Sequence, residues 1–242
     1  MMGLSEEQAI AAIESFGGFV WYDHAGLSKE CSGHETIGGA RSPVKANKKT
    51  VVLAYLDAPL RHVLEYVSAL NGVERLWIAG GCLTQEDLAY IAKLTSLVEL
   101  NLGDTDLSDT GVDCVASLRG LKSLALYKTR ITDLALRRIS QFPELMDLNL
   151  ANTGITDLGL SYLPLSKKLC ALDISGTAIT DGAIAALVQV RTLRILYIHG
   201  TAISDRGLQR LRESLPFCQV ILESGFAFWM SRMTCQRGEG LT

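Results

Sequence analysis

The chain has 242 residues, of which 48% are hydrophobic and 20% are charged, and its net charge is −3. This composition excludes a disordered chain and gives no strong attraction to nucleic acid or anionic membrane. Residues 1–115 hold 16 acidic and 8 basic side chains, whereas residues 116–242 hold 10 and 15. Either this asymmetry is drift among solvated charges, or the acidic and basic ends steer a partner.

No apolar run reaches the ~18 residues that a membrane helix needs, and the N-terminus has no pattern of a signal peptide. The six cysteines are far apart and form no CxxC pair. The sequence therefore predicts neither a disulfide framework nor a zinc site, and a reducing cytoplasm is the predicted location.

Residues 1–51 are predicted to form an N-terminal cap. Within them, "SEEQAIAAIESF" (5–16) has the pattern of an amphipathic helix with Ser5 as its N-cap, and "FVWY" (19–22) has that of a strand. Residues 23–50 are predicted to be a loop. They include His24, Cys31, His34 and Glu35, but the spacing does not favour a metal site.

A repeat of 24 residues fills the middle of the chain. Its units are predicted to start at 52, 76, 100, 124, 148, 172 and 196, and a closing strand ends at residue 222. Each unit opens with an LxL pattern typical of a short strand and continues with apolar residues at the spacing of a helix or 3₁₀ turn. Because one unit cannot bury its own apolar face, the units are predicted to stack into one core.

Two polar positions recur in five units, and both are predicted to be structural. Position 6 is threonine, predicted to form a ladder that bonds loop backbone groups: Thr105, Thr129, Thr153, Thr177 and Thr201. Position 10 is aspartate after Ser or Thr: Asp109, Asp133, Asp157, Asp181 and Asp205. The Ser or Thr is predicted to cap each helix while the aspartate meets its positive end, which is favoured over a metal or acid–base site.

The pattern LxxLxLxxTxITDxGLxxLxxL resembles the leucine-rich repeat superfamily over residues 52–222. It is closest to the short threonine-bearing repeats of bacterial, planctomycete-type proteins, and it is similar to the cysteine-containing repeats of F-box proteins. The resemblance implies an α/β solenoid of about seven repeats, with a curved parallel sheet on the concave face and helices on the convex face. It also implies protein binding without catalytic residues or a cofactor. No F-box is evident near the N-terminus, which disfavours a role as an F-box-like substrate receptor.

The concave face is predicted from the strand residues that point away from the core. Six of them form the predicted binding surface for a partner protein: Trp77, Tyr127, Asp147, Asp173, Tyr197 and His199. Residues 223–242 are predicted to be a C-terminal cap or tail. In this segment "FAFWM" (226–230) either covers the open core or docks elsewhere.

A protein-binding module is therefore the predicted function, with a structural subunit or adaptor of a larger assembly as the alternative. No nucleophile–base pair, phosphate loop or HExxH motif indicates an enzyme or a metal site. The C-terminal arginines lack the interleaved aromatic residues typical of a nucleic-acid surface. Neither nucleic acid nor membrane is a predicted partner.

Overall fold

A computed structural model describes residues 5–23, 48–54 and 60–223. Strands and helices alternate along the chain. The strands are β1 (Phe19–Asp23), β2 (Lys48–Ala54), β3 (Val73–Ala79), β4 (Glu99–Asn101), β5 (Ser123–Ala125), β6 (Asp147–Asn149), β7 (Ala171–Asp173), β8 (Ile195–Tyr197) and β9 (Gln219–Ile221). The α-helices are α1 (Glu6–Ser15), α2 (Leu60–Ala69), α3 (Gln85–Ala92), α4 (Asp109–Val115), α5 (Asp133–Ile139), α6 (Asp157–Leu160), α7 (Ile184–Leu187) and α8 (Asp205–Ser214). Two 3₁₀ helices span Leu163–Leu165 and Asp181–Ala183.

Within the described residues, these nine strands form one sheet in the order of the chain. β2 to β9 are parallel, as predicted, whereas β1 runs antiparallel to β2. The opening leucines of successive units are paired in register, for example Leu100 with Leu124 and Leu124 with Leu148. Their side chains are buried against the helices, so the apolar face of each unit is covered by its neighbours.

The first unit departs from the predicted spacing. Extending the 24-residue period backward from Leu76 reaches Val52, but Leu76 pairs with Val51. Val51 and Leu53 are buried, so the inward side of β2 is one residue earlier than predicted. Because strand side chains alternate between faces, a shift of one residue reverses which side chains enter the core.

Helix α1 extends the helix layer beyond the first repeat. The Ser5 side chain accepts a hydrogen bond from the Gln8 N–H, and the Gln8 side chain accepts one from the Ser5 N–H. This capping box fixes the start of the helix, and Ser5 is the N-cap that the sequence predicted. Ala9 and Ile13 are fully buried, and α1 packs against α2.

Candidate functional site

The repeated aspartates connect neighbouring units. In each of four units the carboxylate accepts two hydrogen bonds from the Ser or Thr that lies 23 residues later, one from its backbone N–H and one from its hydroxyl. The pairs are Asp109–Thr132, Asp133–Thr156, Asp157–Thr180 and Asp181–Ser204. The N–H bonds are 2.7–2.8 Å long. We call these pairs the straps, because each one uses both carboxylate oxygens to join two units.

The straps refine the prediction that was made from the sequence. Thr132, Thr156, Thr180 and Ser204 accept from a backbone N–H of their own helix, as expected for N-caps. Ser108 makes no such bond, which corrects the expectation for α4. Ser108 belongs to the unit starting at 100, and the preceding unit has Gln85 at the aspartate position. No strap carboxylate therefore orients the Ser108 hydroxyl.

Asp181 shows the electrostatic effect of a strap. Hydrogen bonds from Ser204 lower the pKa of the Asp181 carboxyl, and the nearby Arg210 and Arg206 lower it further. The ionised form is therefore favoured in the folded protein, so the contribution of this strap to stability is lost as the pH falls through the lowered pKa.

The threonine ladder uses a second kind of hydrogen bond, within each unit. The five hydroxyls donate to the backbone carbonyl three residues earlier: Leu102, Leu126, Leu150, Ile174 and Ile198. These carbonyls lie just after each strand, where the chain turns. Each threonine hydroxyl thus supplies a hydrogen-bond donor to a backbone carbonyl at the turn that follows the strand.

We expect Thr153→Val to lower the free energy of unfolding by about 1–3 kcal/mol. Valine has nearly the shape of threonine but leaves the buried Leu150 carbonyl without its 2.6 Å hydrogen bond. Chemical denaturation of the two proteins measures this difference, and superimposable unfolding curves would rule out a stabilising role for the ladder.

We call the outer side of the strand layer the concave face. Near its N-terminal end, two charged side chains and one aromatic side chain lie together. Trp77 Nε1 donates to Glu99 Oε1 at 2.9 Å, and Arg75 Nε lies 3.4 Å from Glu99 Oε2. Glu99 is buried, whereas Arg75 and Trp77 are partly exposed. Of these three residues, the sequence analysis predicted only Trp77 as a binding residue. Arg75 and Glu99 could have been found from their opposite charges at the same repeat position of adjacent units, which the register places side by side.

Tyr127 is the second aromatic residue of this part of the concave face. Its ring lies over Gly103, where a Cβ atom would be 2.2 Å from the ring. Glycine at this position therefore makes room for the ring to lie along the sheet, and Tyr127 remains partly exposed. Trp77 and Tyr127 belong to units two apart, so their strands are separated by about 10 Å.

The remaining predicted binding residues differ in accessibility. His199 is exposed, and its Nδ1 lies 2.9 Å from the Leu222 carbonyl oxygen. Asp147, Asp173 and Tyr197 are 4%, 3% and 1% exposed, so these three side chains are covered by their neighbours on the concave side of the strands. Tyr197 packs with Ala171, Ile195 and Ile221 in an apolar cluster of its own.

Asp173 occupies a position that two other units fill with asparagine. Asn101 and Asn149 each accept a hydrogen bond from the backbone N–H two residues later. Asp173 likewise accepts one from the Ser175 N–H, at 2.9 Å. An amide oxygen is thus sufficient for this contact. Burial raises the pKa of the Asp173 carboxyl, because the charged form is desolvated.

We expect Asp173→Asn to be more stable than the wild type at neutral pH. The raised pKa means that the folded protein disfavours the ionised carboxyl, so stability falls as the pH rises above the ordinary pKa of aspartate. Asparagine keeps the acceptor without the charge. Thermal melting between pH 3 and 7 should show a difference that closes toward acid pH, and a constant or inverted difference would contradict this explanation.

One cysteine departs from the prediction that the chain has no disulfide framework. Among the described residues, Cys170 is disulfide-bonded, whereas Cys82, Cys114 and Cys218 are free thiols. Burial raises the pKa of the Cys218 thiol to about 11, so this side chain remains protonated at neutral pH.

Several sequence predictions lie outside the described residues. These are the set His24, Cys31, His34 and Glu35, and the segment 226–230. Across 5–23, 48–54 and 60–223, no group of three or more His, Cys, Asp or Glu side chains is arranged to hold a metal ion. No helix within those ranges is long and apolar enough to cross a membrane.

Comparisons with known proteins agree with this repeat architecture. A family model described as "Leucine Rich repeat" matches residues 93–116. Internalin C2 of Listeria monocytogenes is similar in structure, with a TM-score of 0.54 and 21% identity over 74% of this chain and 81% of that one. An internalin of the same species, inlF, has a TM-score of 0.52 and 18% identity over 66% of this chain.

The alignment with inlF spans only 44% of that protein's length. No curated protein sequence matches the chain. At these identities, the structural similarity concerns the fold alone.

Proposed function

We propose that this chain, which is a leucine-rich repeat protein, is a non-catalytic module that binds a partner protein with its concave face. The observation that carries this proposal is the pair Trp77 and Tyr127. Both side chains are partly exposed. Trp77 is held by its hydrogen bond to Glu99, and the Tyr127 ring lies against Gly103. Large aromatic side chains that are fixed before binding lose little conformational entropy and are enriched among interface hot spots.

The other four residues have different roles in this proposal. His199 is the exposed contact at the C-terminal end of the face. Asp147, Asp173 and Tyr197 lie beneath the surface and shape it. Asp173 places an ionisable carboxyl, whose pKa burial raises, where Asn101 and Asn149 make the same backbone contact without a charge, and this difference supports a functional role for the carboxyl.

Affinity capture from a native lysate, read by mass spectrometry, tests the proposal. The double variant Trp77→Ala/Tyr127→Ala should lose a partner that the wild type retains. Gly103→Ala should weaken retention as well, because the added methyl group displaces the Tyr127 ring without removing it. A control variant, Leu134→Ala, changes an exposed side chain of the helix layer and should retain the partner.

Each variant must first melt as a folded protein. A partner that the double variant and Gly103→Ala retain as well as the wild type does would contradict binding through this part of the concave face. A stable stoichiometric complex or homodimer in light scattering, insensitive to both variants, would favour a structural subunit.

A further inference from the structure

The disulfide of Cys170 requires a second sulfur, and the sequence leaves two choices for it within one chain. Of the six cysteines, three others are free thiols: Cys82, Cys114 and Cys218. The partner of Cys170 is therefore Cys31 or Cys235, both of which lie outside the described residues. Cys170 itself is 8% exposed and comes directly before β7.

Chain length separates the two candidates. Asp23 ends β1, six strand spacings or about 29 Å from β7, and Cys31 follows it by eight residues, which span about 26–29 Å when fully extended. Glu223 comes after β9, two spacings or about 10 Å from β7, and Cys235 follows it by 12 residues, enough for about 40 Å. Cys235 therefore reaches Cys170 with chain to spare, whereas Cys31 would need a straight chain.

A separate observation concerns the same end of the concave face. Tyr197 on β8 is 1% exposed, and its apolar neighbours in the sheet are Ala171, Ile195 and Ile221. A tyrosine side chain extends further from a sheet than alanine or isoleucine, so these residues surround the ring but not its hydroxyl end. The neighbours that cover Tyr197 therefore include chain from outside the sheet. Tyr197 also has a bonding partner of its own.

Asp147 lies beside Cys170 and is covered as well. Asp147 pairs in register with Ala171, and the Cys170 N–H donates to the Met146 carbonyl at 2.7 Å. The Asp147 side chain is 4% exposed, and it is not without a partner. A buried carboxylate needs a cation or several hydrogen-bond donors to offset its desolvation. The chain over Asp147 is therefore expected to carry positive charge.

The C-terminal segment begins with the apolar residues that a cover over Tyr197 requires. It leaves the sheet after β9, where the Leu222 carbonyl oxygen lies 2.9 Å from Nδ1 of His199. The stretch "FAFWM" (226–230) starts three residues after Glu223, which is enough chain for about 10 Å. Because β8 is the strand next to β9, this length brings the large apolar side chains over the Tyr197 cluster.

The same segment carries positive charge where Asp147 requires it. Arg232 precedes Cys235 by three residues and Arg237 follows it by two, so each lies within about 10 Å of that cysteine along the chain. A sulfur of Cys235 bonded to Cys170 therefore places both guanidinium groups near Asp147. The order of apolar, basic and cysteine residues matches the order of the features from β9 back to β6.

We infer that Cys170 and Cys235 form an intramolecular disulfide and that residues 224–235, the C-terminal cover, lie across the β6–β9 part of the concave face. The apolar residues 226–230 cover Tyr197, and the arginines beside Cys235 neutralise Asp147. Trp77 and Tyr127, which are partly exposed, lie outside the covered part.

The disulfide makes the C-terminal cover sensitive to reduction by a dithiol. One thiolate of the dithiol attacks a sulfur of the bond, and the second thiol then displaces the resulting mixed disulfide. Two electrons and two protons pass to Cys170 and Cys235, which become thiols, while the dithiol becomes a disulfide. Only noncovalent contacts then hold the cover, so it opens more often and exposes Tyr197 and Asp147 to a partner.

Peptide mapping of the purified full chain tests the assigned bond. Free thiols are blocked with iodoacetamide, and the protein is digested with trypsin without reductant and read by mass spectrometry. We expect peptide 169–191 to be linked to peptide 233–237. Cys82→Ser, which alters an exposed free thiol, is the matched control and should leave this link unchanged. A link to peptide 30–41, an alkylated Cys170, or a covalent dimer on a non-reducing gel would overturn the inference.

Hydroxyl-radical footprinting tests the cover itself through the oxidation of Tyr197, with Tyr127 as the internal reference. The variant Phe228→Ser/Trp229→Ser/Cys235→Ser removes large apolar side chains and the disulfide together. Tyr197 oxidation relative to Tyr127 should rise about threefold or more, because a side chain that is 1% exposed becomes accessible. Wild-type protein that has been reduced and alkylated should give an intermediate value.

The variant must first melt like the wild type, and the peptide map of the wild type stands whether or not it does. Unchanged oxidation of Tyr197 in the folded variant would show that other chain covers this residue and would overturn the inference. Equal oxidation of oxidised and reduced wild type would overturn the control by reduction. Neither measurement uses a partner protein, so the C-terminal cover and the binding role of Trp77 and Tyr127 are tested separately.

Discussion

Replacing Asp133 with alanine should lower the free energy of unfolding by about 1.5–3 kcal/mol. Its carboxylate accepts from the Thr156 N–H at 2.7 Å and from the Thr156 hydroxyl at 2.6 Å, which joins the unit starting at 124 to the unit starting at 148. Alanine removes both acceptors and leaves a backbone N–H without its partner. Asp133→Asn, which keeps one acceptor oxygen, should lose an intermediate amount.

Asp113→Ala is the matched control for this change. Asp113 is also an aspartate of the helix layer, but it forms an exposed ion pair with Arg138, which is expected to contribute less than about 1 kcal/mol. Urea denaturation of the three variants compares them directly. If Asp133→Ala cost no more than Asp113→Ala, the straps would not stabilise the stack.

Leu148→Ala should have the largest effect, a loss of about 2–5 kcal/mol. Leu148 is fully buried in the fifth of the seven units, and it lies in register between Leu124 and Leu172. The cavity left by alanine weakens contacts with both neighbouring units. Because units in a solenoid contact only their neighbours, this position controls the coupling between the two halves of the stack.

Two measurements follow the effect of this substitution. Denaturation gives the loss of stability, and hydrogen exchange should show faster amide exchange in β5, β6 and β7 than in β3. Leu134→Ala, at a leucine 75% exposed, should change stability by less than about 0.5 kcal/mol. Equal effects of the two leucine substitutions would contradict the assigned core.

The repeat could be read from the sequence because the same physical requirement recurs every 24 residues. Leucines that must be buried by the next unit are repeated in register, and their period determines the stacking. Within the described residues, the period fails at Val52, where the register of β2 is displaced by one residue. That irregularity accompanies the change from repeat to cap, and composition alone does not encode it.

The contacts of the polar ladders were harder to predict. A sequence motif relates Asp133 to the helix that it begins, whereas the strap partner Thr156 lies 23 residues away. The alternation of strand side chains likewise identified the concave face but not its accessibility. Burial of Asp173 and Tyr197 depends on the side chains around them, and the pattern of one strand does not contain that information.

Hydrogen–deuterium exchange of the chain with its captured partner tests the proposed binding face most directly. Free and bound protein are compared peptide by peptide at equal concentration. Binding through the concave face predicts protection at residues 77–81, 101–105 and 125–129, where Trp77 and Tyr127 lie. Protection confined to α6, α7 and α8, with no change at those strand ends, would contradict it.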